Sequence, residues 1–173
     1  MAYRLQIQSK INDTRSLVRK NKLLSLGYAE VKELNLVDVY TIENDFSNDT
    51  LNKIGLILSN PVMQEFSFEK PLSPVQFDWA IEIGFLPGVT DNVAHTARES
   101  IEDLLKIKFN KDQAVYTSQI TFIAGNLNLT QAQNIGESLA NKLIQRIHLK
   151  SFSEFQQGNG MDLIIPKVHL NEK

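Results

Sequence analysis

The chain has no cysteine, which excludes disulfides, thiolate nucleophiles and cysteine-ligated zinc together. Its 173 residues hold one tryptophan, five prolines and eight glycines, too few glycines and prolines for a low-complexity or fibrous chain. Neither sign of charge dominates: 18 Lys and Arg stand against 20 Asp and Glu, for a net charge of −2 and a pI near 5.9. That balance argues against nucleic acid or an anionic membrane as principal partner. No apolar run approaches the roughly 20 residues of a membrane span, and the amino terminus MAYRLQIQSK lacks the apolar stretch of a secretory signal. A cytoplasmic location is expected. What is present, 42% apolar and 22% charged residues, is the composition of a folded globular chain.

The most informative feature is a repeat. Residues 45–68 and 126–149 match at a constant offset: Ile54 with Ile135, Gly55 with Gly136, Leu58 with Leu139, Asn60 with Asn141 and Gln64 with Gln145 (135 − 54 = 81). Upstream, Val39-Tyr40-Thr41 answers Val115-Tyr116-Thr117, and Tyr3 to Ile7 answers Trp79 to Ile83, both at offset 76 (79 − 3 = 76). A helix-sized match can arise from amphipathic patterning alone, but persistence over this length points to two copies of one unit. Each copy by itself would bury a marginal core, so mutual burial is expected.

Within a copy, Tyr3, Leu5 and Ile7 alternate with polar residues, as do Trp79, Ile81 and Ile83, which predicts first strands with one buried face. Helix starts follow at Asp13 and at Thr90 or Asp91. Val93, Ala97, Ile101, Leu104 and Leu105 form a helical stripe, whereas Leu17, Val18, Leu23, Leu24 and Leu26 spread around the wheel. Residues 31–43 and 113–124 are β-rich and suit a hairpin or one long strand. Ser47 and Thr130 are read as caps of second helices, Thr130 with Gln133 as a capping box, on apolar positions Leu51, Ile54, Leu58 and Ala132, Ile135, Leu139. The Asn-x-Thr triplets at Asn12, Asn48 and Asn128 fall at these helix starts. Short extended runs at 62–68 and 143–149 close each unit. The expectation is an α+β fold of two tandem ferredoxin-like βαββα(β) units, forming a pseudo-dimer with antiparallel sheets. The boundaries are 1–69, a Pro-containing linker 70–77, 78–150, and an extended polar and then apolar tail 151–173, expected to pair with another element or to lead into a further catalytic region.

The duplicated unit resembles PurS, the small subunit of phosphoribosylformylglycinamidine synthase. The residues that carry the likeness are YRLQI, the strand followed by Leu86-Pro-Gly-Val-Thr-Asp91 and an amphipathic helix, and the close NPVMQEFSF. The first copy departs from it, with Ser9-Lys-Ile-Asn-Asp13 in place of the Pro-Gly turn. Two copies followed by Ile165-Pro-Lys-Val168 resemble the N-terminal part of fused PurS-PurL chains. The resemblance implies a non-catalytic assembly module of an ATP- and glutamine-dependent ligase of purine biosynthesis. Its partners would be a PurL synthetase region, fused or separate, and a PurQ-type glutaminase, and it would support ammonia transfer between them. ATP and Mg would belong to the whole enzyme and not to this segment. The competing function is a tandem ACT-type amino-acid-binding regulatory module, which also uses a Pro-Gly turn like that at Pro87-Gly88; a free-standing protein that only dimerises is a further alternative.

The residues themselves assign no catalytic, cofactor-binding or metal site. There is no phosphate-cradling glycine loop, and Gly158-Asn-Gly160 lacks a third glycine and a following helix. His95, His148 and His169 share no ligand spacing. Glu99, Glu102 and Asp103, with Arg98 and Lys106 beside them, are read as a solvated charged face. Trp79 is read as core or inter-copy packing, and Tyr40 and Tyr116, taken as equivalent, as interface or core residues.

Overall fold

The computed structural model describes residues 1–168. Its elements are β1 (Ala2–Ser9), α1 (Thr14–Ser25), β2 (Glu33–Glu43), α2 (Asn48–Leu58), β3 (Gln64–Ser67), β4 (Trp79–Phe85), α3 (Asn92–Leu105), β5 (Val115–Ala124), α4 (Leu129–Leu139), β6 (Gln145–Ser151) and α5 (Phe152–Gln157). The fold is α+β, with one six-stranded antiparallel sheet in the order β3-β1-β2-β5-β4-β6. The expected βαββ order is corrected to βαβαβ on each side of the linker, because 33–43 and 115–124 are single long strands. Neither stretch contains a Gly or Pro that could turn it back on itself.

Helix starts follow side-chain capping. Asp13, Ser47 and Asp91 each accept a first-turn amide, which settles Asp91 over Thr90. The cap of α4 is Asn128 with Gln131 as its capping-box partner, in place of Thr130 with Gln133. Both pairs have the same spacing, but only Asn128 sits in extended backbone ahead of the helix. The segment after 151, expected to be extended, opens with α5, capped by Ser151 and Glu154.

Four helices, α1 to α4, lie on one face of the sheet. Leu23 of α1 shares a core with Ile135 of α4, Ile81 and Ile123; Ile54 of α2 shares another with Ala94, Ala97 and Ile101 of α3. Both cores therefore draw on residues before and after the linker. The stripe on α3 runs through Ala94, Ala97 and Ile101, while Val93 and Leu104 are exposed. On the other face, Val37, Val39, Ile120 and Phe122 are covered by Phe77 from the linker end and by Phe155 of α5. Phe77 meets Phe122, Phe152 and Phe155 edge-on at 4.8, 5.0 and 5.2 Å between centroids, the favoured geometry for aromatic pairs.

Tyr40 and Tyr116 are not equivalently placed. In the central ladder Tyr40 faces Thr117 and Thr41 faces Tyr116, so the two tyrosines occupy neighbouring rungs and point to opposite faces. Tyr40 packs on the α2–α3 core. Tyr116 donates its hydroxyl to Glu43, and burial together with that carboxylate pushes its pKa up to about 12.

Asp78 locks the entrance to β4. Its Oδ2 accepts the three consecutive amides of Gly125, Asn126 and Leu127, where Gly125 and Asn126 have positive φ. Asp78→Ala removes the acceptor of all three and is expected to cost about 2 kcal/mol, measurable by urea unfolding; a change below about 0.5 kcal/mol would mean that water replaces the carboxylate.

Candidate functional site

The face of the sheet opposite α1 to α4, covered in part by α5, carries a strip of charge where alternation alone predicts solvent. Pairing places Glu82 of β4 between Ile120 of β5 and His148 of β6, and Gly84 between Ser118 and Arg146. Glu82 is 0% exposed. Its Oε2 accepts Arg4 Nη2 at 2.8 Å, and its Oε1 accepts the Ser118 hydroxyl. Arg4 belongs to β1, so its side chain reaches over two intervening strands to make that contact. Arg146 lies on the bare backbone of Gly84, whose added Cβ would come within 2.9 Å of Nη2. Lys150, also buried, donates to the Gly160 carbonyl and to Asp162 at 2.9 and 2.7 Å, and His148 Nε2 stands 3.3 Å from the same Asp162.

The last described segment crosses this face. It begins at Asp162, over β6, and ends with Lys167 Nζ 2.9 Å from Glu43 and bonded to the Asp112 carbonyl. The tail thus pairs with this sheet through side chains, as far as Val168. Residue His169 lies outside the described residues.

The other candidates from the sequence are scattered. His95 is exposed on α3 beside Glu99, far along the chain from His148 on β6. Among the described residues no group of three His, Asp or Glu could hold a metal ion, and no helix is long and apolar enough to cross a membrane. Gly158 and Gly160 form the turn after α5, with Gly160 serving Lys150. Trp79 packs on the α1–α4 core as read, and its Nε1–H donates to the Leu127 carbonyl at 2.8 Å.

The reading of Glu102 as part of a solvated face is corrected. It is 6% exposed and accepts Lys108 Nζ, the Phe109 amide and Arg98 Nε, pinning the loop after α3. Those donors, Lys108 first, hold its pKa down at about 2. A carboxyl whose folded pKa lies below its unfolded value stabilises fully above the unfolded value and loses that contribution as pH falls toward the folded one. The melting temperature of the native chain is therefore expected to fall between about pH 4.5 and 2 more steeply than that of Glu102→Gln, and parallel curves would contradict the clamp.

The strip was missed in the sequence because Arg4, Glu82 and Arg146 sit at polar positions of alternating strands, and only the strand order unites them. No family model matches this chain, and no curated protein is significantly similar to it.

Proposed function

We propose that this chain is a duplicated PurS-like assembly module of phosphoribosylformylglycinamidine synthase, non-catalytic, cytoplasmic, and acting by holding a PurL-type synthetase and a PurQ-type glutaminase together. The observation that carries this reading is the way the two stretches mirror each other about one central ladder. β1 pairs with β2 and β3, as β4 pairs with β5 and β6, and β2 joins β5. At the middle Asp38 faces Gln119 (119 − 38 = 81) and accepts its amide at 2.7 Å.

Matching details support the duplication. Tyr3 Oη donates to the Phe46 carbonyl and Trp79 Nε1 to the Leu127 carbonyl, at offsets of 76 and 81. The turns into β3 and β6 are built alike: Gln64 and Gln145 accept the amides of Asn60 and Asn141, whose side chains accept those of Val62 and Leu143. Leu5 faces Tyr40 and Ile81 faces Thr121, so the five extra residues of the second copy precede β5 (81 − 76 = 5). An odd shift turns every side chain to the other face, which is why Tyr40 and Tyr116 part company. Two βαβαβ halves sharing both helical cores would act as a built-in pseudo-dimer, with linkage raising the effective concentration of the second half.

The alternative, an ACT-type amino-acid sensor, is separated by two measurements. A ligand that binds only the folded state raises its melting temperature by mass action. The assembly reading predicts no shift with any of the twenty amino acids at millimolar concentration beyond the shift given by acetate, and co-sedimentation with a PurL-type synthetase and a PurQ-type glutaminase from the same organism. A saturating shift with one amino acid that acetate does not reproduce, without co-sedimentation, would replace it with the sensor.

A further inference from the structure

Around β4 and β6, on the face opposite α1 to α4, Arg4, Arg146 and Lys150 stand against two carboxylates, Glu82 and Asp162. Arg4 has Glu82, and Lys150 and His148 share Asp162. Arg146 has neither: its Nε and Nη1 are buried and bond to nothing among the described residues. Glu82 acts on it only through space, its oxygens being bonded to Arg4 and Ser118, and Arg4 adds a second positive charge nearby. Burial accordingly pulls the pKa of Arg146 down. Buried guanidinium donors without an acceptor are uncommon in native proteins, and an uncompensated buried charge is costly.

The segment 162–168 is fastened on both sides of this place. At one end Asp162 holds Lys150, whose strand partner is Ala80; at the other Lys167 holds Glu43, and Val168 lies 3.5 Å from where a Cβ on Gly88 would stand. Glu82, Gly84 and Arg146 lie along the strands between these points. The fastenings are partly exposed ion pairs, which hold weakly, and Leu163 and Val168 remain exposed.

We propose that Arg146, with Arg4 beside it, forms a site for a small oxyanion, and that residues 162–168 are its displaceable cover. A phosphate or a carboxylate supplies the acceptors that Arg146 lacks and neutralises the unmatched charge. Asp162, already on His148 and Lys150 at the rim, is the internal carboxylate that such a ligand competes with. This site is independent of the assembly role and can stand or fall without it.

The test is a series of thermal melts at constant ionic strength, with chloride replaced stepwise by phosphate in one arm and by acetate in the other. A saturating rise in melting temperature is expected, and the arm in which it occurs identifies the oxyanion. Arg146→Met keeps the apolar stem and is expected to weaken binding about tenfold or more, the loss of a charged hydrogen bond. Asp162→Asn loosens the cover and is expected to tighten binding several-fold. No saturating rise in either arm, or equal affinity in native and Arg146→Met chains, overturns the proposal. If Arg146→Met does not fold, line broadening of the oxyanion whose arm gave the rise, phosphorus-31 for phosphate or carbon-13 for labelled acetate, by the native and Asp162→Asn chains decides: tighter binding by Asp162→Asn supports the site, and unchanged or absent binding overturns it.

Discussion

Gly55→Ala is expected to destabilise the chain by about 2 kcal/mol, whereas the same change at Gly136 is expected to be nearly neutral. Both glycines are buried in their helices and matched in the repeat, yet they meet different neighbours. A Cβ at Gly55 would lie 2.2 Å from an edge carbon of the Phe66 ring, with two more ring carbons at 2.5 and 2.6 Å. A planar ring cannot yield locally, so either it swings out of its packing or α2 lifts off β3. At Gly136 the nearest atom is a methyl of Ile147 at 3.1 Å, and a shift of a few tenths of an ångström accommodates it. Alanine also favours a helix over glycine by about 1 kcal/mol, which offsets the small clash at Gly136 and only part of the large one at Gly55. For a chain of this size the Gly55 effect is a fall in Tm of roughly 4–8 °C. Phe66→Leu in the same chain should recover part of it, a non-additivity expected of residues in contact. Equal melting temperatures for Gly55→Ala and Gly136→Ala would contradict the close packing of α2 on β3.

Glu82→Ala is expected to have the largest effect of any single polar substitution, about 3–5 kcal/mol, or a fall of roughly 6–20 °C in Tm. The carboxylate is fully buried and is the counter-charge for Arg4, with Arg146 and Ser118 around it. Its removal takes away the carboxylate that pairs with Arg4 and acts through space on Arg146. The double variant Glu82→Ala, Arg146→Met removes one of those charges and should be more stable than the sum of the single effects. A loss below about 1 kcal/mol for Glu82→Ala would mean that the strip is hydrated and the carboxylate dispensable.

The fold was legible in the sequence wherever periodicity and punctuation agreed. Alternation at Tyr3–Ile7 and Trp79–Ile83 marked two strands, and Leu51, Ile54, Ala132 and Ile135 marked two buried helix stripes. The long strands could not be told from hairpins by composition, and the absence of turn residues was the deciding signal. Helix α5 was hidden by a polar sequence with nearby glycines, although Ser151 and Glu154 already had the spacing of a capping box. The match of Tyr40 to Tyr116 failed because a three-residue identity outweighed strand register; only the pairing of Leu5 with Tyr40 and of Ile81 with Thr121 locates the inserted residues. The charged strip was illegible for a topological reason. Arg4 and Glu82 are 78 residues apart, and nothing in either strand says that they share a face of the same sheet.

The assembly role is tested most directly by glutamine-dependent synthesis. A PurL-type synthetase and a PurQ-type glutaminase from the same organism would be purified without this chain, and formation of formylglycinamidine ribonucleotide from formylglycinamide ribonucleotide and ATP followed with either glutamine or free ammonia as nitrogen source. The account predicts that adding the chain restores glutamine-dependent synthesis and leaves the ammonia-dependent reaction of the synthetase little changed. Glutamine-dependent synthesis that proceeds equally well without the chain, or is not restored by it, would contradict the account.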